Sequence, residues 1–407
     1  MDRALIDHRS PEFAALTRDV LPKLRQVFET RDGAVVLYPT SGTGAWEAAL
    51  VNVLRPGDRV LSFDCGYFAG GFAQAARNLG FEVDEVRLRW GQTIPAAGVE
   101  ERLRSDDGAR RYRAVLAMHN ETSTGVRSDV GAIRRGMDAA GHDALLVVDA
   151  VSSLASMPFC FDEWRVDVAL AASQKGLMLP PGIAVLCVSL RAIEAGAEGG
   201  SPRNFFDWRP IMRDNAVGFF PYTPATLMLF GLRAALEMLV DEEGLEAVYA
   251  RHHRLAAGVR AAVGSWGLST LCEDPAYSSE TLTAIVVPDA VDSNDVVRVA
   301  RERFGLSLGV GLGRLKGGVF RIGHLGSLNE LEVLGAVAGV EMALHELSLG
   351  IDIGAGVEAC EREFVSAHTG AKVPSAPSAG SNVARSGIRK RRMLEQMPSP
   401  SIQFEDA

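Results

Sequence analysis

Positive charge is in deficit along this chain: 42 Lys and Arg against 51 Asp and Glu leave a net charge of −9 over 407 residues. A basic face is the usual footprint of nucleic-acid binding, so no nucleic-acid partner is expected and small-molecule substrates become the default. The five cysteines, Cys65, Cys160, Cys187, Cys272 and Cys360, follow no metal-ligand spacing. They read as reduced core thiols, which fits a cytoplasmic protein and leaves no expected metal site. Residues 1–16 are polar and charged, with neither a signal-peptide core nor a spanning stretch, so no membrane association is expected. The ending Phe404-Glu405-Asp406-Ala407 also lacks the Ser-Lys-Leu type of address.

What the chain does have is length enough for two packed domains and an ordinary globular balance of 47% hydrophobic and 23% charged residues. From residue 34 to 190, apolar strand-like runs alternate with amphipathic helix-like runs, the pattern of an α/β domain with a parallel sheet. Strands are expected at 34–38, 59–63, 83–88, 112–118, 144–148, 166–171 and 183–188, with helices at 46–54, 69–79 and 130–140. A large domain over 1–243 is therefore expected, followed by a smaller α+β domain over 244–355. In the second domain the candidates are a helix over 245–267, strands at 282–287 and 319–323, and a helix over 328–347. Residues 366–407 turn to Ala, Ser, Pro and Gly and then to a basic run of Arg385, Arg389, Lys390, Arg391 and Arg392. That composition predicts a disordered tail whose charge is simply solvated.

Between Val168 and Leu190 the only charged residue is Lys175. A lysine with its head in water would be unexceptional, but a desolvated one has a lowered pKa and becomes a good amine nucleophile towards an aldehyde. Asp149 is likewise the sole charge between Asp143 and Asp162, at the end of a strand-like run. Acids at strand ends often face the ligand crevice of α/β sheets, although a metal or a helix cap would use one too. An acid followed 26 residues later by an isolated lysine suggests pyridoxal phosphate chemistry, in which the acid keeps the pyridine nitrogen protonated and the lysine holds the aldehyde carbon.

Two further segments complete the set. Pro39-Thr40-Ser41-Gly42-Thr43-Gly44-Ala45 follows a strand and opens a helix, where unpaired amides and the dipole suit a phosphate as well as a plain N-cap turn. It has no Walker lysine. Arg321 sits in the apolar strand Val319 to Gly323; it would pair with a structural acid, or, facing the site, its planar fork would suit an α-carboxylate.

Together these residues resemble the class V aminotransferases of fold type I, in particular the branch that uses glyoxylate with serine, alanine or aspartate as donor. The resemblance rests on Thr40-Ser41-Gly42-Thr43-Gly44, the run His119 to Val126, Val148-Asp149-Ala150-Val151-Ser152-Ser153, Ser173-Gln174-Lys175-Gly176, Pro180-Pro181-Gly182, Pro221-Tyr222-Thr223-Pro224 and Arg321-Ile322-Gly323, collinear from about residue 7 to 354. It implies a mixed, mostly parallel seven-stranded sheet covered by helices, pyridoxal 5′-phosphate as cofactor, and small amino and keto acids as substrates. It further implies that Ser41, Gly42 and Thr43 hold the phosphate, Phe68 stacks on the ring and Val151 presses on its other face. Thr122 would bond the ring hydroxyl and Asp149 the ring nitrogen. Gln174 would precede the Schiff-base Lys175, and Arg321 would take the substrate carboxylate. Thr223 matches a residue that reaches the phosphate of the neighbouring subunit, so a homodimer is expected.

Two departures from the family pattern stand out. A Gly-Pro-rich segment that lines the site in the family would lie upstream of Met1, so donor binding and dimer contacts are expected to lack it. Phe220 occupies a position where some relatives have a phosphate-binding tyrosine, so that hydroxyl contact is either missing or taken over by Tyr222. A cysteine desulfurase on the same fold would need a nucleophilic cysteine beside the substrate, for which Cys272 and Cys360 are poor candidates. A non-catalytic binding protein retaining the fold is the reading from another class, and colour from a bound cofactor separates it from an enzyme.

Overall fold

The computed structural model describes residues 4–106, 108, 111–197 and 200–368. The first layer is a seven-stranded sheet built from β1 (Ala34–Tyr38), β2 (Arg59–Asp64), β3 (Glu82–Arg87), β4 (Tyr112–Met118), β7 (Leu145–Asp149), β8 (Val168–Ala172) and β9 (Ala184–Val188). A short hairpin of β5 (Asn120–Glu121) and β6 (Val126–Arg127) interrupts the series. The strand order is β1-β9-β8-β7-β4-β2-β3, and β9 alone runs against the others, as the mixed and mostly parallel expectation requires.

Burial explains why these strands were easy to see in the sequence. In β7, β8 and β9 every residue is buried, because helices cover both faces of a parallel sheet and leave no polar alternation. The edge strand β3 is the opposite case: its sequence, Glu-Val-Asp-Glu-Val-Arg, presents charges along an unpaired edge, which discourages pairing with another chain. The covering helices are α1 (Pro11–Val27), α2 (Gly42–Val53), α3 (Tyr67–Asn78), α4 (Ala96–Arg104), α5 (Val130–Ala139), α6 (Leu190–Ala197), α7 (Trp208–Asn215) and α8 (Thr226–Leu236). Helix α1 was not expected from the sequence. Its start is set by Ser10, whose hydroxyl accepts from the Phe13 amide, and by Pro11 in the first turn.

The second core packs α9 (Leu245–Ser265), α10 (Ser293–Phe304), α11 (Glu330–Glu346) and α12 (Ala355–His368) against an antiparallel sheet. That sheet has the order β10-β11-β13-β12, from β10 (Ser269–Thr270), β11 (Leu282–Val286), β12 (Gly309–Val310) and β13 (Val319–Gly323). Helix α12 corrects the expected boundary at 355. Cys360 and Phe364 are buried in this core beside Leu255 and Val259, so ordered packing continues past 355, and the helix runs on to His368, three residues into the range expected to be a tail. The composition misled because α12 mixes alanines with acids and offers few apolar residues. The basic run from Arg385 to Arg392 lies outside the described residues. Among the described residues, no helix is long and apolar enough to cross a membrane.

Candidate active site

The parallel strands deliver their last residues to one side of the sheet, where ligand crevices of α/β folds form. β7 ends on Asp149, and β8 ends on Ala172, after which come Ser173, Gln174 and Lys175. β1 ends at Tyr38, and three residues later Ser41 is the N-cap of α2. β4 ends at Met118 and leads into the β5–β6 hairpin that carries Thr122.

A cavity of about 240 Å³ lies between these ends. Ser41, Gly42, Thr43, Phe68, Thr122, Asp149, Val151, Gln174 and Lys175 all line it. Two residues named from the sequence do not. Thr223 is exposed on the loop before α8, and Arg321 is half-buried on β13 in the smaller domain. Trp46 and Met118 also line the cavity, and sequence reasoning missed both.

Trp46 was missed because the helix was expected to open at that residue, whereas it opens at Gly42. Two glycines in the first turn depress helix propensity and make the segment look like loop. With the earlier start, Trp46 stands one turn beyond Gly42, on the same face, and that i to i+4 relation was the available signal. The earlier start also bears on anion binding. The Ser41 side chain makes no capping bond, and the first amides of α2 have no helical partner, so they are left to a ligand at the positive end of the helix.

Asp149 is 2% exposed, and each of its oxygens accepts one hydrogen bond. The Trp46 indole Nε1 donates to Oδ2 at 2.6 Å, and the Val151 amide donates to Oδ1 at 2.8 Å. Burial nevertheless pushes its pKa up to about 6, with the nearby Glu121 charge adding to the rise while the two donors and Lys175 oppose it. Lys175 is half-buried, and its pKa is lowered first by loss of water and then by the Arg321 guanidinium, against the pull of Asp149. The next residue, Gly176, is fixed by crowding: a Cβ there would lie 2.2 Å from the Leu154 carbonyl oxygen, so the lysine loop packs directly on the turn that follows Asp149.

Arg321 has no acid partner within salt-bridge distance among the described residues. Its Nη1 donates to the Thr122 carbonyl at 2.7 Å and its Nε to the Val310 carbonyl at 3.1 Å. That departs from the structural-acid alternative and leaves part of a charged fork uncommitted near Lys175. Thr122 donates its hydroxyl to Ser152 Oγ at 2.8 Å, which sets the direction of its lone pairs. Phe68 is held through the start of α3. The buried Glu121 carboxylate accepts from the amides of Ala69 at 2.9 Å and Phe68 at 3.4 Å, where the positive end of the helix favours an anion. Gly66 permits this approach, since a Cβ there would sit 2.2 Å from Glu121 Cγ. Tyr222, the hydroxyl nearest to the departure at Phe220, points its OH at the Phe205 carbonyl at 3.4 Å and stacks on Phe205.

None of the five cysteines lines the cavity. Cys272 turns its Sγ to the Asp274 carbonyl, and Cys360 is in the second core with its thiol pushed up to about 12 by burial. A nucleophilic thiolate for desulfuration is therefore lacking at this site. Among the described residues no group of three or more His, Cys, Asp or Glu could hold a metal ion.

Comparison with known proteins agrees with this geometry. The family described as aminotransferase class-V matches residues 4–313. The serine–glyoxylate aminotransferase of Methylorubrum extorquens is 47% identical, over 87% of this chain and 89% of that protein. The L-aspartate–glyoxylate aminotransferase of Paracoccus denitrificans is 45% identical, over 89% and 91%. Among solved structures, the ureidoglycine–glyoxylate aminotransferase of Bacillus subtilis superposes with a TM-score of 0.82 at 26% identity, covering 89% of this chain and 93% of that one.

Proposed function

The chain belongs to the class-V aminotransferases, and from that premise we propose that it binds pyridoxal 5′-phosphate through Lys175 and moves an amino group from serine or aspartate to glyoxylate, releasing glycine and a 2-oxo acid. Amino-group transfer to glyoxylate is the activity named for relatives at 43–47% identity over most of the chain. The observation that carries the reading is that an amine with a lowered pKa and a buried acid line one small cavity together with the open amides of a helix start.

The residues present fit the cofactor. Gly42 and Thr43, at the start of α2, and the uncapped hydroxyl of Ser41 offer donors to a phosphate, while Phe68 and Val151 provide apolar contact for a ring. When bound, the cofactor supplies an aldehyde that accepts the amino group and a ring that withdraws electrons from the reacting carbon. Asp149 holds the proton of the ring nitrogen. Arg321 uses its uncommitted N–H groups to bind the substrate α-carboxylate in a bidentate fork. Lys175 Nζ, once released, would take the proton from the substrate α-carbon and deliver it to the cofactor's aldehyde carbon, and would carry one in the reverse direction during the second half of the cycle. That role needs a fraction of neutral amine near pH 7, which desolvation and the Arg321 charge favour. Thr223, from a second copy of the chain, reaches the phosphate, which makes the working unit a homodimer.

The test is a donor panel on the purified holoenzyme with glyoxylate as acceptor, repeated with pyruvate. Serine or aspartate with glyoxylate is expected to turn over fastest, alanine more slowly, and the visible cofactor absorbance should bleach on donor addition. A colourless protein with no exchange between any donor and glyoxylate would defeat the reading.

A further inference from the structure

The residue with no assigned role that touches the most consequential group in the cavity is Trp46. We propose that Trp46 is a positioning residue for Asp149: its indole N–H fixes Oδ2 and so holds the carboxylate in place as the partner of the cofactor's ring nitrogen. This inference rests on the cofactor reading above.

The geometry is specific. The Nε1 to Oδ2 distance is 2.6 Å, slightly shorter than the usual charge-assisted N–H···O bond, and the Val151 amide holds the other oxygen at 2.8 Å. With one donor on each oxygen the carboxylate cannot rotate without losing a bond, yet each oxygen keeps a lone pair for a further donor. The indole is itself immobile. Trp46 is 8% exposed and stacks on Phe72 of α3, with ring centroids 5.5 Å apart and an interplanar angle of 17°.

The chemistry of the donor also matters. An indole N–H can give a hydrogen bond but cannot accept one or take up a proton, so the contact favours the charged acid and offers no competing site for the proton. Phenylalanine would keep an aromatic ring to stack on Phe72 while losing this bond, along with the volume of the second indole ring. The charged groups that face Asp149 are Lys175, from the loop after β8, and Glu121, from β5. Neither lies within hydrogen-bond distance of its oxygens among the described residues, which leaves the neutral indole as the only side-chain donor on the carboxylate there.

The experiment uses the apoprotein first. The infrared band of the protonated Asp149 carboxyl, isolated by difference from Asp149→Ala, is titrated in wild type and in Trp46→Phe. The wild-type midpoint should fall near 6, and Trp46→Phe should raise it by about one pH unit. Pyridoxal phosphate added to the same apoproteins at pH 5, where a one-unit rise cuts the ionised fraction of Asp149 about tenfold, should bind roughly tenfold more weakly to the variant, and the difference should fade above pH 8. If Trp46→Phe does not fold, the wild-type indole N–H proton resonances decide: one should follow the Asp149 titration and should be still in Asp149→Ala. An unchanged midpoint in Trp46→Phe, or no indole proton following Asp149, overturns the proposal. Neither readout involves turnover, so failure here is distinct from failure of the transamination assay.

Discussion

The guanidinium of Arg321, carried on β13 of the smaller domain, is hydrogen-bonded at 2.7 Å to the main-chain carbonyl of Thr122 on the β5–β6 hairpin of the larger one. That bond fixes the guanidinium beside Thr122, which lines the cavity, with no acid within salt-bridge distance among the described residues. Lysine at this position would keep the charge and lose the fork. Arg321→Lys is therefore expected to raise the KM for the amino donor and for glyoxylate by roughly 10–100-fold, the value of one charge-assisted hydrogen bond or two, with a smaller change in kcat. Steady-state kinetics with each substrate varied in turn checks this, and unchanged KM values would remove Arg321 from carboxylate binding.

The paired behaviour of Lys175 and the cavity leads to a second expectation. Lys175→Ala deletes both the covalent attachment and the proton carrier, so turnover should fall by at least about 10²–10⁴-fold, the usual worth of a positioned acid–base group. The proposed phosphate cradle at Ser41, Gly42 and Thr43 is untouched, and some cofactor should stay bound noncovalently. Mass spectrometry after borohydride reduction should find the cofactor attached to the wild-type peptide containing Lys175 and to no peptide of the variant. Near-normal transamination by the variant would assign the chemistry to another residue.

Much of this is legible in the sequence alone. The strands showed because β7, β8 and β9 are buried throughout and read as unbroken apolar runs. Lys175 and Asp149 showed because a lone charge within such a run needs a reason. Where the sequence misled, local preference and tertiary context disagreed. Gly42 and Gly44 hid the first turn of α2, and with it the approach of Trp46 to Asp149. Helix α12 was hidden because its burial depends on Cys360 and Phe364 meeting α9, a contact that no periodicity in a short Ala- and Glu-rich stretch announces. The Arg321 to Thr122 bond spans 199 residues and joins two domains, which single-sequence spacing cannot express.

Asp149 also ties stability to pH in the apoprotein. Its pKa is raised from 3.8 to about 6 in the folded chain, so between those values the folded state holds more protons than the unfolded one. Stability contributed by this group is therefore fully present below 3.8 and is lost as pH rises through about 6, a change of at most about 3 kcal/mol. Urea unfolding of the apoprotein between pH 4 and pH 7 should show wild type losing stability relative to Asp149→Ala as pH rises. Parallel curves for the two proteins would mean that Asp149 titrates alike in both states.

Thr223 is exposed on a single chain and lies outside the cavity, which suits a residue that serves the site of a partner copy. In the proposed homodimer, Thr223→Glu would set a carboxylate against the phosphate and should leave the enzyme nearly inactive, as should Lys175→Ala. Mixed in equal amounts and reassembled at random, the two variants would form hybrid dimers for half of the population. In each hybrid, the site with the intact Lys175 would receive the intact Thr223 of the Lys175→Ala subunit, while the other site would carry both lesions. About a quarter of all sites should then recover activity. If Thr223 served its own subunit instead, every site would contain one lesion and mixing would restore nothing, so activity measured before and after subunit exchange separates the two arrangements.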